Sequence, residues 1–401
     1  MPWQETSTMD ERARFVIDVE TSEYSMSDLC RHYGISRKTG YKWWHRYLEG
    51  GIGELADRSR APHHHPRAVR SEVKEAIEAI KARYCRWGPR KIRAKLQRDY
   101  PEWERYPAAS TIGAYLRQKG LTHPRRHKAK ATPSEVLTRG NAPNEVWCID
   151  FKGHFRTDDG HRCNPLTISD EVSRYIICCR HVDQMRYRLV KMQCETVFRE
   201  YGLPKAIRSD NGAPFSGHGL CGLSRLSYWW IRLGISPERI EPGRPQQNGR
   251  HERMHKTLKA ETAQPPASTL QAQQKAFDAF RREFNEERPH EALEMRTPAE
   301  RYIASPRELP SRLPPVNYPA HMEVRKVSTR GEIYYLAKRI FITESLIGDQ
   351  VGIEQVSDDL SALYFCTYLL GYIDHRIWKV RTARDVAAAG RLAGQPRAKT
   401  H

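Results

Sequence analysis

Short apolar runs between residues 146 and 262 alternate with helical patterns, and this order constrains the fold more than any other feature. Strands are predicted at Val146–Phe151, Pro165–Ile168, Tyr175–His181 and Ala206–Arg208, with a short strand near Ile240. Helical patterns follow the third and fourth runs, and a further helix follows the fifth. Five strands interleaved with helices in this way predict an α/β domain with a mixed five-stranded sheet.

Three acidic residues occupy notable places in this pattern. Asp150 and Asp210 lie where strands should end, and Glu252 lies in the last helix. On that helix Lys256 and Lys259 share a face with Glu252, because residues four and seven positions apart point the same way. Taken singly, each acid fits a turn or surface role. Taken together, we interpret them as one site.

The chemistry of such a site favours a hard metal ion. Mg²⁺ takes oxygen ligands, and two divalent ions can activate an attacking oxygen and stabilise a leaving one in phosphodiester chemistry. We expect Asp150 to bridge two Mg²⁺ ions, with Asp210 on one and Glu252 on the other, and Mn²⁺ as a substitute. The histidines that flank Glu252, His251 and His255, could also be ligands, although packing or DNA contact suits them better because Mg²⁺ prefers oxygen.

The overall charge indicates an anionic partner. The chain has 401 residues, with 67 Lys and Arg against 48 Asp and Glu, a formal net charge of +19. An excess of this size favours nucleic acid as the partner and exceeds what solubility requires. Scattered cysteines without a C-x-x-C pair, and the lack of a long apolar run, predict no membrane association and a reducing, cytoplasmic location.

Residues 1–60 predict a helix-turn-helix DNA-binding domain. Helices are expected at Asp10–Glu20, Ser27–Tyr33 and Arg37–Leu48, with Gly34 in the turn and Ser36 as the cap of the third helix. The predicted DNA-binding residues on this third helix are Arg37, Lys38, Lys42 and Arg46. The alternative is a plain helical hairpin with a solvated basic face.

The inner face of that third helix carries two further expectations. Tyr41 and Trp44 are expected to pack inward. Gly40 costs about 1 kcal/mol relative to Ala in a helix interior, so a close approach of another helix should explain it.

A second helix-turn-helix DNA-binding domain is predicted at residues 68–121. Its helices are expected at Ser71–Tyr84, Arg90–Arg98 and Thr111–Gln118, the last one capped by Ser110. Arg90 and Lys91 are expected on the outside, in contact with DNA. Residues 122–143 form a basic linker, and its candidate DNA-binding residues are Arg125, Arg126 and Lys128. An unattached tether is an equally good interpretation of this segment.

Short strand patterns at close intervals predict a small β-barrel domain at residues 320–378. It could bind DNA, or serve protein contacts or structure alone. Residues 379–401 form a basic tail for which disorder or a weak nucleic-acid contact is expected.

Several segments carry a family resemblance. WCIDFKG, RSDNGAPF and GRPQQNGRHERMHKTLK resemble the three signature segments of insertion-sequence DDE transposases and retroviral-type integrases. The segment NEERPHEALEMRTPAERY resembles the one that closes the transposase core. The resemblance implies a ribonuclease H-like DDE catalytic core at residues 144–302, with the acids at 150, 210 and 252 as its triad. The C-terminal barrel likewise resembles that of integrases.

The same resemblance implies the activity. Such an enzyme frees a 3′-OH at the end of a mobile element and joins it to target DNA. The partners would be double-stranded DNA, as element ends and target, and further copies of the chain in a homo-oligomer on DNA. Two alternatives stay open: a DNA-binding regulator that retains the fold, and a simple metal-dependent DNA nuclease.

Overall fold

The computed structural model describes residues 7–21, 23–58, 69–122, 138, 140–217, 222–241 and 245–388. The chain forms two compact units, residues 1–71 and residues 72–401. Among the described helices, none has both the length and the apolar character needed to cross a membrane.

The first unit contains three helices and a short 3₁₀ turn. They are α1 (Thr8–Thr21), α2 (Met26–His32), α3 (Arg37–Gly50) and the turn Ile52–Leu55. Ser25 and Ser36 cap α2 and α3, since their hydroxyls accept the backbone N–H of Asp28 and Thr39. The three helices enclose a small apolar core, which confirms the helix-turn-helix layout.

Gly40 explains how closely these helices pack. A Cβ at this position would collide with Sγ of Cys30 and lie 3.1 Å from Phe15. The expected close approach at Gly40 is therefore confirmed. The inward aromatic residue was predicted wrongly: Trp43 is 7% exposed and Tyr41 is 48% exposed. Trp44 is half-buried at the edge of the same core.

The second unit begins with three more helices. They are α4 (Ser71–Arg83), α5 (Pro89–Asp99) and α6 (Ala109–Gln118). The cap position of α6 is Ala108, so the expectation that Ser110 caps it is wrong; the helix begins one residue earlier than Ser110. A common apolar core joins the helices through Ile77, Ile92, Leu96, Ile112 and Leu116.

These helices are attached to the rest of the second unit by polar contacts. The hydroxyl of Tyr84 donates to Glu287, and Nζ of Lys95 lies 3.5 Å from the same carboxylate. A guanidinium N–H of Arg98 donates to the Glu286 carbonyl at 3.1 Å. Helix α5 therefore turns part of its basic face toward the catalytic-core region rather than to solvent.

The central part of the second unit is a mixed sheet with helices on both faces. Its strands are β1 (Val146–Phe151), β4 (Pro165–Asp170), β5 (Ile176–His181), β6 (Ala206–Ser209) and β7 (Ser236–Arg239), and the pair β2 (Phe155–Arg156) and β3 (Arg162–Cys163) lies outside it. The helices are α7 (Tyr187–Tyr201), α8 (Arg225–Arg232), α9 (Gly249–Thr262) and α10 (Leu270–Arg282). The strand order is β5-β4-β1-β6-β7, with β4 antiparallel and β6 parallel to β1. The mixed five-stranded sheet is confirmed.

The two faces of this sheet bury different helices. Trp147 and Ile149 point into a core shared with α7 and α8. On the other side Cys179 packs with Met254 and Phe277 of α9 and α10. Because side chains alternate along a strand, Asp150 points away from the Trp147 core and toward α9.

The C-terminal part contains strands without a closed barrel. They are β8 (Glu323–Lys326), β9 (Glu332–Tyr335), β10 (Lys338–Phe341), β11 (Gln350–Ser357), β12 (Leu360–Phe365), β13 (Tyr368–Asp374) and β14 (Lys379–Arg381), followed by α11 (Ala383–Ala388). The described strands pair as an open sheet, β14-β13-β12-β11-β8, and a separate β9–β10 hairpin. The predicted barrel is thus not confirmed.

The predicted tail contains ordered structure at its beginning. Strand β14 pairs with β13, and Val386 of α11 is 1% exposed against the sheet. The expectation of disorder from residue 379 onward is therefore wrong for residues 379–388, because an apolar side chain anchors them. Residues 389–401 lie outside the described part of the chain.

Candidate active site

The sheet brings two of the predicted acids to one edge. In the parallel pair β1–β6, Ile149 lies opposite Ser209. Asp150 and Asp210 are the next residues on the two strands, so they occupy neighbouring positions at the same edge. Glu252 lies in the first turn of α9, the helix that packs over this side of the sheet. The strand register therefore explains why residues distant in sequence come together.

The pKa of Asp150 reflects these neighbours. Burial raises the pKa of Asp150 to about 7, and the charges of Asp210 and then Glu252 act in the same direction. The backbone N–H of Phe151 and the ammonium of Lys152 lower it only in part. The like charges of Asp210 and Glu252 therefore add to the effect of burial on Asp150.

The loop after β6 holds Asp210 in place. The N–H of Gly212 donates to Oδ1 of Asp210 at 3.0 Å. Nδ2 of Asn211 donates to the carbonyl of Ile240 at 2.8 Å, which connects this loop to the end of β7. Glu252 itself is exposed, whereas Asp150 and Asp210 are half-buried.

A buried polar network lies directly behind Asp150. The hydroxyl of Thr167 lies 2.6 Å from Nε2 of His255 and 2.7 Å from Nε2 of His251, and it donates to the Asp150 carbonyl at 3.1 Å. Nδ1 of His251 lies 2.7 Å from the Ser169 hydroxyl. Nδ1 of His255 lies 3.6 Å from Oδ2 of Asp150. The two rings therefore connect the sheet to the carboxylate.

The two histidines are buried behind Asp150. Burial lowers the pKa of His251 to about 3, and burial followed by the charges of His251 and Lys152 lowers that of His255. The rings are only 2% and 4% exposed, so neither reaches DNA from the surface. The packing interpretation of these residues holds, and the DNA-contact interpretation is wrong.

Asp150, His251 and His255 place one ligand atom each within 4.8 Å, which is compact enough for a metal ion. Both nitrogens of His251 already face hydroxyl groups, however. The three carboxylates supply the oxygen atoms that Mg²⁺ prefers, and their mutual repulsion is the kind that a cation relieves. Asp150 and Asp210 at neighbouring strand ends, with Glu252 on α9, supply oxygen ligands of this kind, whereas the compact group among the described residues is Asp150 with His251 and His255.

The basic residues near the site lie on α9 and β1. Lys256 and Lys259 are exposed on α9. Lys152 was missed from the sequence, although its position two residues after Asp150 places both side chains on one side of the chain. The spacing of four between His251 and His255 likewise indicated one helix face, but their hydroxyl partners could not be identified without the register of β4.

The predicted DNA-binding residues fall in different environments. In the first unit Arg37, Lys38 and Lys42 are exposed, and Arg46 is half-buried with its guanidinium 4.9 Å from the Trp43 ring. In the second unit Arg90 is exposed and pairs with Glu291 at 3.1 Å. Lys91 is half-buried, contrary to the expected outside position, because α5 packs that side on α9 and the 288–290 segment. Arg125, Arg126 and Lys128 lie outside the described residues.

Comparison with protein families identifies the central region. The Integrase core domain family matches residues 140–245 and, in a second form, residues 233–298. A Helix-turn-helix domain matches residues 11–63, and a Homeodomain-like domain matches residues 39–116.

Individual relatives come from insertion elements and retroviruses. The insertion element IS407 31.7 kDa protein of Burkholderia multivorans is 28% identical over 218 residues, which are 54% of this chain and 75% of that protein. The Gag-Pol polyprotein of baboon endogenous virus is 34% identical over 134 residues, 33% of this chain but only 7% of the polyprotein.

Among solved structures, the HTLV-2 integrase catalytic core domain in complex with magnesium aligns with 41% of this chain and 99% of its own, at 16% identity and a TM-score of 0.33. The matched families cover the region that holds all three acids. Residues 140–298 of the chain thus match the Integrase core domain family, and the chain is similar to proteins of insertion elements.

Proposed function

We propose that this protein binds the ends of a mobile element, exposes a 3′-OH there and joins it to target DNA. In this proposal Asp150, Asp210 and Glu252 hold two Mg²⁺ ions, and Mn²⁺ can replace them. When bound, the ions activate the attacking oxygen and stabilise the leaving one.

The observation that supports this proposal is the register of β1 and β6: Asp150 and Asp210 come directly after paired residues at one edge of the sheet, and Glu252 lies in the first turn of α9 over that side. Two carboxylates at the ends of parallel strands and a third on α9 stabilise nothing by repelling each other. They become favourable when cations and a phosphodiester complete the site. A regulator that only binds DNA would gain nothing from this arrangement.

The chain's own residues have separate roles in this proposal. Exposed Lys256 and Lys259 would bind phosphates on either side of the scissile bond. Thr167 and His255 would fix the position of Asp150 from behind. A metal-bound carboxylate needs such support, because loose ligands lose geometry and affinity.

DNA recognition would come from the N-terminal helices. Arg37, Lys38 and Lys42 are exposed on α3, and the chain carries a formal net charge of +19. Phosphate contacts would position the protein, and side chains on the recognition helix would read base edges. Because two element ends are joined to one target, we infer that several copies assemble on DNA.

The test uses the full-length protein, labelled duplex ending in the terminal sequence of its own element, unlabelled target DNA and Mg²⁺. Joined products support the proposal. Cleavage without joining would mean a nuclease, and a gel shift without either product would mean a regulator. Glu252→Gln should abolish joining while DNA binding survives. The exposed Glu344, in the C-terminal part, provides the matched control Glu344→Gln.

A further inference from the structure

A second charged site lies on the far side of His251 from Asp150. A cavity of about 110 Å³ opens between α5, the turn after β4 and the first half of α9. Five cationic side chains line it: Lys91, Arg174, Arg250, Arg253 and Arg288. Arg250 and Arg253 are exposed at its mouth, while Arg288 is 5% exposed at its base.

The acidic groups of this region already have partners. Glu171 pairs with Arg208 at 3.2 Å and with Arg250 at 3.5 Å. The carboxylate of Asp170 accepts the backbone N–H groups of Ser173 and Asn144. Glu171 therefore pairs with Arg250 alone among the cations that line the cavity, and Asp170 is satisfied by backbone N–H groups.

The base of the cavity is neutralised separately. Arg288 pairs with Glu261 at 2.6 Å and with Glu283 at 3.0 Å. Among the described residues no acid lies within ion-pair distance of Lys91, Arg174 or Arg253, although the charges of Glu261, Glu283 and Glu291 act on Lys91 and that of Glu171 acts on Arg174. Three of the five cations thus lack a partner within the described part of the chain.

Two buried nitrogen atoms also have no hydrogen-bond partner in the part of the chain that the structure describes. Nε of Arg174 and Nε2 of His290 are buried without a hydrogen-bond partner among the described residues. An unsatisfied buried polar atom costs about 1–3 kcal/mol, so such atoms call for a ligand.

The titration of the buried cations agrees with this geometry. Burial, and then the charge of Arg288, lowers the pKa of Lys91 to about 8. Burial also lowers the pKa of Arg174, and the charges of Arg250 and Arg253 add to the effect. An anion in the cavity would relieve both repulsions.

We propose that this cavity is an anion site that holds a phosphate group of bound DNA. Arginine forks and an ammonium group match phosphate oxygens in geometry and charge. DNA is the source we favour, because exposed arginines surround the mouth and the chain is strongly basic. This inference rests on the proposed function.

The site would connect two parts of the second unit. Lys91 belongs to α5, Arg174 to the turn between β4 and β5, and Arg253 to α9. A phosphate held between them would fix helices α4, α5 and α6 against α9, the helix that carries Glu252. DNA binding at the cavity would therefore stabilise the arrangement of α5 on α9.

Two variants remove the buried cations with little effect on the fold. Arg174 has a φ of 63°, a left-handed conformation that Asn tolerates well, so Arg174→Asn removes the charge without new strain. Lys91→Met keeps the aliphatic length of the half-buried side chain. Arg188→Ala is the control, because Arg188 is exposed on α7.

The measurement is the affinity of the full-length protein for labelled duplex DNA across a range of salt concentrations. Loss of one phosphate contact should reduce the magnitude of the negative slope of log affinity against log salt by about 0.9. We expect Arg174→Asn and Lys91→Met each to show this decrease, and Arg188→Ala to keep the wild-type slope. In a second experiment, the melting temperature of each of the same proteins is measured with and without inorganic phosphate.

The outcomes separate the possible explanations. Unchanged DNA affinity and slope in both variants would overturn the proposal. If inorganic phosphate raises the wild-type melting temperature and the variants lose that response without losing DNA affinity, the cavity binds free phosphate and the DNA assignment is overturned. If both variants show the smaller salt dependence of DNA affinity but the wild type joins no DNA, the cavity proposal stands and the proposed function fails.

Discussion

Strand β6 and the residue after it carry two charges that the protein treats in opposite ways. Arg208 is 2% exposed and lies 3.2 Å from Glu171 and 3.0 Å from Glu238. It also donates to the Thr138 carbonyl at 2.6 Å. Asp210, two positions later, lies beside Asp150 and Glu252, which carry the same sign of charge.

This difference separates a structural charge from a functional one. Arg208 is surrounded by its counter-charges, so its environment is complete in the protein alone. In the proposed function, the carboxylates of Asp150, Asp210 and Glu252 would need bound cations to complete their environment. Residue type and burial do not distinguish the two cases, whereas the sign of the surrounding charges does.

Removing the charge of Arg208, which acidic neighbours compensate, should have the largest effect. That effect should be a loss of folding stability. Arg208→Met leaves Glu171 and Glu238 buried without their partner, so we expect the free energy of unfolding to fall by about 3–5 kcal/mol. Denaturant titration of the full-length protein measures it, with Arg199→Met on the exposed side of α7 as the control. A loss no larger than that of the control would show that Arg208 is not structurally required.

Removing an uncompensated charge should affect activity and spare stability. Asp210→Asn should reduce DNA joining by about 100-fold or more, the scale of losing one group that stabilises transition-state charge. Without added metal its free energy of unfolding should stay the same or rise, because one like charge has been removed beside Asp150. Joining assays and denaturant titration on one preparation test both parts. A strongly destabilised variant would contradict the comparison.

The network behind Asp150 should have a smaller effect that appears in metal binding. His255→Phe fills the same space without a hydrogen bond to Thr167, and we expect Mn²⁺ affinity to fall by about 10- to 100-fold. Titration of Mn²⁺ followed by electron paramagnetic resonance measures this without any reaction. His255→Gln, which retains a donor, should recover part of the affinity. Equal affinities in the two variants would mean that His255 only fills space.

The smallest effect is expected for the exposed cations on α9. Lys256→Ala should reduce the magnitude of the negative slope of log DNA affinity against log salt by about 0.9, which corresponds to one phosphate contact. Lys205→Ala is the matched control, because Lys205 is exposed before the other end of β6 and pairs with Glu145 at 3.0 Å. Identical slopes for the two variants would remove Lys256 from the DNA surface.

The sequence predicted elements whose signals are local. Strands β1, β4, β5 and β6 follow their apolar runs within a few residues, and Ser36 caps α3 as expected. Gly40 indicated a close helix contact because a helix interior disfavours glycine unless space is short. Prediction failed where several neighbouring residues could play the same role. Examples are the cap of α6 and the inward aromatic residue of α3, which was wrongly expected to be Tyr41.

Sequence by itself determined the chemistry of the acids and the strand ends that carry two of them, because apolar periodicity and turn residues act over a few positions. Only the tertiary structure decided what surrounds each charge: hydroxyls against His251 and His255, acids around Arg208, and no hydrogen-bond partner for Nε of Arg174 among the described residues. The physical reason is that electrostatic and hydrogen-bond partners come from strands and helices far apart in sequence. Register and packing, which are long-range properties, bring them together.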